Sequence, residues 1–442
     1  MDYQTALNYL YGLGHETLAM KLGLENISCL INNLGNPYQT YSSIHVAGTN
    51  GKGSFCATLA AILAKSSIPT GLFTSPHLID LTERFQYNLK PISNNDFCQI
   101  LAKVKLTIDN LLATKQMIAR PTFFEHVTAI ALEYFRQCNV NLAILEVGLG
   151  GRLDSTNIVS PILSVITPID FDHQQYLGNT LSDIAREKAG ILKTGVPALI
   201  APQQKEAAKM ITQVAKEVGS PLIWLDPKGL SSTPDKDGYQ KIKYFDKDLI
   251  LGLRGHHQVM TAKLAICAVE ILNSQGFSIT SDNIANGLKN TLWPGRLELI
   301  DSKPNLLFDG AHNPHGATAL GNFLKDWLVE KQYPTKVLIF STMQDKDFSS
   351  MAKSLFPLFD LVVLVERSDP RAMQFEKLTS EISLLTKEII VAKNTSKALE
   401  IAYSKADNRG LVLVSGSLHL IGEVKKHLRD NQQPYQEKTY GI

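Results

Sequence analysis

Short apolar, β-branched runs alternate with longer segments of helical period along most of the chain. In the first part the runs are "SIHVAG", "TGLFTS", "NLAILEVG", "ILSVITPI" and "VPALIAP", the pattern of buried strands. Between them lie stretches such as "FFEHVTAIALEYFRQ", where Phe124, Val127, Ile130, Ala131 and Tyr134 fall on one helical face. Strand and helix in alternation predict parallel sheets wrapped by helices. A helical bundle would leave the β-branched runs without a role.

The pattern changes from Lys228 to Leu253, where a turn-rich stretch gives way to strict alternation in "GYQKIKYFDKDLILGL". That predicts a β-hairpin rather than a crossover unit. Two helical stretches follow, "HQVMTAKLAICAVEILNSQG" and "SDNIANGLKNTLW", and then Pro294 and Gly295 break the pattern in "WPGRLELI". Beyond the break the alternation restarts with "NLLFDGAH", "KVLIFST", "LVVLVE", "EIIVA" and "GLVLVSG". The expected organisation is therefore α/β: a parallel-sheet domain over residues 1–295 and a smaller, Rossmann-like α/β domain over 296–442.

Composition narrows the class without naming a chemistry. A chain of 442 residues suits two or three domains, and 44% hydrophobic with 19% charged residues is ordinary for a globular protein. A formal net charge of +2 gives no reason to expect nucleic acid. The five cysteines are odd in number, scattered and never spaced C-x-x-C, so neither a disulfide framework nor a zinc knuckle is expected and a reducing cytoplasm fits. No targeting peptide opens the chain and no window holds the ~18 consecutive apolar residues of a membrane span, so a soluble protein is expected. Without a coiled-coil seam, a monomer is the default.

The residues able to carry chemistry sit at strand ends. In "IHVAGTNGKGSFCATLAAIL" a strand runs through a Gly-rich turn into a helix, bringing backbone N–H groups and the helix's positive end together between Gly48 and Ser54. Lys52 adds a cation for outer phosphates, although Val46 and Gly53 depart from the Walker pattern G-x-x-x-x-G-K-[ST]. A sterically required glycine turn is the plainer alternative. Ser75 ends the next strand, where its hydroxyl can ligate Mg²⁺ or simply form a Ser-Pro turn. Arg84 is either an anion holder or a solvated charge. Glu146 closes an apolar strand, where a lone carboxylate is costly, so a bound cation is favoured over an ion pair with Arg152. His173 follows another apolar strand, and Lys188 lies in a helix where the plain reading is a surface charge. Arg296, Asp309 and His312 stand at turns of the second half, each also explicable as a turn or cap.

Taken together, "GTNGKGS", "TSPH", "EVGLGGRLDSTN", "DH" followed by "LG", "REKAGI", "PGR" and "FDGAHNPH" occur in that order. The combination resembles the folylpolyglutamate synthase and dihydrofolate synthase family of the Mur ligase superfamily, across nearly the whole chain. The family's phosphate loop reads G-T-x-G-K-[GT]-[ST], which accommodates Val46 and Gly53. The resemblance implies an ATP site at the domain interface. Thr49, Asn50, Gly51, Lys52, Gly53 and Ser54 would hold phosphates, Gln258, Arg296 and Asp309 would contact ATP, and His312 would lie near the transferred phosphate. It implies two Mg²⁺ sites, one at Ser75 and Glu146, the other at His173 with a carbamate on Lys188. One departure is Thr261 in "HQVMTA", where many relatives have asparagine.

The implied reaction joins L-glutamate to a carboxylate through an acyl phosphate. Ala19, Met20, Lys21 and Leu22, then Thr122, Phe123, Phe124 and Glu125, then Leu153, Asp154 and Ser155 resemble segments that contact the pterin in bifunctional bacterial enzymes, with Arg84 as a further substrate contact. Simple core packing is the alternative for Phe123 and Phe124. The expected substrates are dihydropteroate, tetrahydrofolate and L-glutamate. The alternatives are a monofunctional folylpolyglutamate synthase, a cell-wall Mur ligase and a nucleotide-binding protein that has lost catalysis. The start of the phosphate loop near residue 48 leaves little room for a cell-wall ligase's N-terminal domain. A binding module would not need Ser75, Glu146, His173 and Lys188.

Overall fold

The computed structural model describes residues 1–14, 23–226, 228, 231–244, 247–375 and 380–431. By internal packing the chain divides into two units, residues 1–228 with 263–287 and residues 229–262 with 288–442. The cut expected at 295 falls just inside the second unit, and the hairpin segment packs with that unit too. Periodicity reports which element a residue belongs to, not which core that element joins.

The first unit is built on an eight-stranded sheet: β1 (Ser42–Ala47), β2 (Thr70–Phe73), β3 (Phe85–Tyr87), β4 (Lys90–Pro91), β5 (Leu142–Glu146), β6 (Leu163–Ile166), β7 (Ala198–Ile200) and β8 (Leu222–Trp224). Their spatial order is β4-β3-β2-β5-β1-β6-β7-β8. Pairing is parallel from β2 across to β8, while β3 and β4 form an antiparallel edge. Val46 stands opposite Glu146, Ala47 opposite Ile166, and Phe73 opposite Leu145. The register thus brings the carboxyl ends of β1, β2, β5 and β6 to one edge, where open α/β sheets bind ligands. The helix Lys52–Lys65 that leaves β1 is buried from Ser54 to Leu63. Its run "FCATLAAIL" is apolar on every side, and such a helix belongs inside a core rather than on a surface.

In the second unit a six-stranded sheet comprises β12 (Glu298–Ile300), β13 (Asn305–Asp309), β14 (Lys336–Phe340), β15 (Leu361–Val365), β16 (Ile389–Ala392) and β17 (Leu411–Ser415). Its order is β12-β13-β17-β14-β15-β16, parallel throughout except for β12, which runs antiparallel to β13. The segment read as a hairpin forms β10 (Tyr239–Tyr244) and β11 (Lys247–Arg254), to which β9 (Ser232–Pro234) adds a third antiparallel strand. The α/β organisation expected from the alternation therefore holds in both units. All five cysteines are free thiols. Among the described residues no helix is long and apolar enough to cross a membrane.

Candidate active site

Sterics dictate the turn after β1. Gly48 has φ +143°, and a Cβ there would stand 1.9 Å from the Thr167 hydroxyl oxygen. Gly51, at φ +88°, begins the helix with open space around it. The Thr49 and Asn50 N–H groups donate to the Pro168 carbonyl at 3.0 and 3.2 Å. The Thr49 hydroxyl donates to the Asp170 carbonyl at 3.0 Å and accepts the Asp170 N–H at 3.1 Å. Thr49 is thus turned inward as a staple to the segment after β6. The amides free of intrahelical acceptors are those of the first turn, Lys52, Gly53 and Ser54, which together with the helix dipole form an anion cradle.

Two lysines meet on one carbonyl of this loop. Lys52 Nζ donates to the Gly48 oxygen at 3.1 Å and to the Thr49 oxygen at 3.4 Å, and Lys188 Nζ donates to the same Gly48 oxygen at 2.9 Å. Lys188 belongs to the helix Leu181–Ala189 but is only 5% exposed, so the surface-charge alternative does not hold. Burial, and then the charge of Lys52, bring its pKa down to about 7 against the opposing pull of Asp172 and Asp154. A lysine so placed is substantially neutral near pH 7, the condition for reaction with an electrophile.

Glu146 is buried at the end of β5, where its Oε2 accepts the Ser75 N–H at 3.2 Å. The alternative pairing with Arg152 does not form. Arg152 donates through Nε and Nη2 to Glu187 at 3.0 and 2.9 Å, and its backbone N–H donates to the Glu187 carbonyl at 2.8 Å. His173 opens a short helix at φ +50°, with Nε2 3.8 Å from Asp172. Asp172 also accepts the His173 N–H at 2.9 Å. Among the described residues no three His, Cys, Asp or Glu side chains converge to hold a metal alone. The donors present at Ser75 and Glu146 are few, hard oxygens, which suits Mg²⁺, an ion that keeps several waters and takes phosphate oxygens as ligands.

The loop after β5 is organised by Asp154. Its buried carboxylate accepts the N–H groups of Gly148, Leu149 and Thr156 at 3.0–3.1 Å and the Thr156 hydroxyl at 2.5 Å. Burial raises its pKa against those hydrogen bonds. Ser155 shares a 2.6 Å hydrogen bond with Thr128, and Leu153 is half-buried. Thr122 and Glu125 form a capping box at the start of the helix Phe123–Gln137. Phe123 and Phe124 do pack in the core as the plain reading had it, and Phe124 lies flat on Gly148, where a Cβ would stand 2.3 Å from its ring. Arg84 is not a solvated charge. It is 1% exposed, donates from Nε to His77 Nδ1 at 2.9 Å, and holds its guanidinium 5.4 Å from the Phe123 ring centre. Ala19, Met20, Lys21 and Leu22 lie outside the described residues.

In the second unit Asp309 ends β13 with both carboxylate oxygens used, on the Leu297 N–H and the Ala311 N–H, each at 3.0 Å. Burial raises its pKa, and the nearby Arg296 charge counters this. The Arg296 guanidinium rests on Gly310, where a Cβ would stand 2.0 Å from Nη1. His312 Nδ1 lies 2.8 Å from the Gly310 carbonyl, which can only accept, so the proton sits on Nδ1. Gln258 is buried, with its Oε1 lacking a partner. The structure therefore gathers Lys52, Lys188, Ser75 and Glu146 at one sheet edge, and Arg296, Asp309 and His312 at the end of another strand. Sequence reasoning passed over His77, Asp172 and Thr167. His77 and Asp172 carried a signal, as members of the "TSPH" and "DH" motifs, and Thr167 carried none.

Comparison with known proteins identifies the family. Residues 46–269 match the Mur ligase middle domain, and residues 295–418 match the glutamate ligase domain of Mur ligases. The dihydrofolate synthase/folylpolyglutamate synthase of Bacillus subtilis is 33% identical over 97% of this chain and 99% of its own. The Mycobacterium tuberculosis folylpolyglutamate synthase complexed with ADP superposes with a TM-score of 0.87 at 29% identity, covering 99% of both chains. E. coli FolC in complex with DHPP and ADP gives a TM-score of 0.83 at 28% identity, over 98% of this chain and 99% of FolC. The chain belongs to the Mur ligase family, among its dihydrofolate synthase and folylpolyglutamate synthase members.

Proposed function

We propose that this chain is an ATP-dependent ligase that adds L-glutamate to dihydropteroate and to folates. The observation that carries the reading is the meeting of Lys52 and the buried Lys188 on the Gly48 carbonyl, at the edge that also holds Ser75 and Glu146. A carboxylate does not accept an amine directly, because an oxide is too poor a leaving group. Its oxygen therefore attacks the γ-phosphorus of ATP and ADP leaves. The uncharged amine of glutamate then attacks the acyl phosphate carbon, a proton is lost from nitrogen, and phosphate departs. Little of this needs a covalent role for the protein, so positioning and charge neutralisation supply most of the rate.

In this reading the first-turn amides of Lys52, Gly53 and Ser54 hold the phosphates, with Asn50 and Gly51 shaping the turn and Thr49 bracing it. Lys52 neutralises the transferred phosphoryl group. Mg²⁺, when bound, supplies charge neutralisation to the phosphate oxygens. Ser75 and Glu146 are its proposed ligands, and His173 with a carbamate on Lys188 would hold a second ion. A neutral Lys188 amine captures CO₂ with loss of a proton, a step that its lowered pKa favours. Arg84, Phe123, Phe124 and the Asp154 loop form the proposed pterin pocket. Arg296, Asp309 and Gln258 are proposed to contact the nucleotide, with His312 close to the transferred phosphate. The proposed working partition is a first domain to residue 295 and a glutamate ligase domain from 296, in a monomer of the cytoplasm. The start of the second family match at residue 295 supports that partition.

Folate carrying ¹⁸O in its terminal carboxylate tests the chemistry. One labelled oxygen per turnover is expected in the released phosphate. Phosphate free of label would exclude the acyl phosphate.

A further inference from the structure

Lys425 lies in the helix Leu418–Asp430, and its side chain is wholly excluded from solvent. Such a lysine is disfavoured unless paired, and an apolar residue of similar volume would serve stability at least as well. Its partner is Glu298, which receives Nζ at 3.0 Å on Oε1 and 2.8 Å on Oε2. Glu298 stands opposite Phe308 across the β12–β13 pairing, and the Lys425 ammonium lies 5.8 Å from the Phe308 ring centre. The same carboxylate accepts the Gly295 N–H at 2.8 Å. The pair therefore reaches the turn that bears Arg296.

That turn is held on both sides of the arginine. Gly295 is fixed by Glu298 through its N–H and by the Gly310 N–H, which donates to the Gly295 carbonyl at 2.8 Å. Leu297, at φ +44°, is a non-glycine residue in the left-handed region, and its N–H is tied to Asp309 at 3.0 Å. Such a backbone persists only where its surroundings over-determine it. Between the two anchors, Arg296 Nη1 donates to the Gly295 carbonyl at 3.1 Å.

We infer that Glu298 and the buried Lys425 are positioning residues for Arg296, fixing the turn that aims its guanidinium at the nucleotide. The inference rests on the proposed role of Arg296 in nucleotide binding. A turn released from Glu298 samples several directions, so the guanidinium must be ordered at the moment of binding, a cost that appears as lost affinity.

The test uses the full chain, ADP binding by calorimetry and thermal melting. Arg296→Ala is the reference, expected to weaken ADP about tenfold or more, as loss of a charged hydrogen bond does. Glu298→Leu with Lys425→Met removes both charges together and leaves no lone buried ion. It is expected to melt cooperatively near wild type yet bind ADP about tenfold more weakly, and Arg296→Ala added to it should cost little more, since linked residues are not additive. Glu298→Gln keeps an oxygen for the Gly295 N–H and should bind ADP within about threefold of wild type, whereas Glu298→Ala releases that N–H and should bind about tenfold more weakly; equal affinity in these two variants overturns the inference if the double variant does not fold. Wild-type affinity in the folded double variant, full additivity with Arg296→Ala, or a tenfold loss in Glu298→Gln overturns the inference alone. Unchanged ADP binding in Arg296→Ala overturns the role of Arg296 and the inference with it.

Discussion

Gly48→Ala tests whether the phosphate loop is built as described. At φ +143° a non-glycine residue costs about 1–3 kcal/mol in backbone strain. The new methyl would also meet the Thr167 hydroxyl oxygen at 1.9 Å and the Thr167 Cβ and carbonyl oxygen at 3.0 Å. Thr167 cannot easily retreat, because its N–H and hydroxyl are bonded to the Ala47 carbonyl at 2.9 and 3.3 Å. Overpacking of this kind adds about 1–3 kcal/mol. The combined penalty of about 2–6 kcal/mol falls on the residue whose carbonyl anchors Lys52 and Lys188. Gly51→Ala is the control: it too has positive φ, but nothing lies within 4 Å, so only about 1–2 kcal/mol of backbone strain is expected. Thermal melting and ADP titration should show Gly48→Ala much the more damaging in both readouts, with Thr167→Ala recovering part of the loss. Equal effects at the two glycines, or no recovery from Thr167→Ala, would refute the steric argument.

Other positions make separate demands. Because the folded Lys188 has a pKa of about 7 and an ordinary lysine about 10.5, the unfolded chain binds the extra proton between these values. The contribution of Lys188 to stability is therefore complete above pH 10.5, declines as pH falls towards 7 and is flat below, and a Lys188→Met variant should lose this slope in a melting series. With ¹³C-bicarbonate the wild type should give a carbamate ¹³C resonance at mildly alkaline pH that is absent from Lys188→Met. Asp154→Ala strands the N–H groups of Gly148, Leu149 and Thr156, each costing about 1–3 kcal/mol if unsatisfied, and should lower the melting temperature as well as activity. Glu146→Gln keeps the shape but removes the charge, so the Mg²⁺ concentration for half-maximal turnover should rise at least about tenfold; an unchanged requirement would move the ion elsewhere.

Much of this was legible because the chemistry stands at strand ends. The loop at Gly48–Ser54 announces itself by a strand, glycines and a helix, and Glu146 by a carboxylate closing an apolar run. The register that sets Val46 against Glu146 is a long-range fact, and no local pattern contains it. For the same reason the partner of Arg152 was open in sequence, since Glu187 arrives from a helix distant along the chain. Lys188 and Arg84 were ambiguous because burial of a cation leaves no periodic signature. Glu298 and Lys425 were invisible, being joined across 127 residues by one part-buried ion pair.

The most direct test of the central claim supplies the purified chain with ATP, Mg²⁺ and labelled L-glutamate, together with dihydropteroate or tetrahydrofolate. Label should enter product with either pterin and only when ATP and a pterin are both present. Incorporation without any pterin, or none with both, would contradict the ligase assignment, and incorporation with one pterin alone would contradict the dual activity.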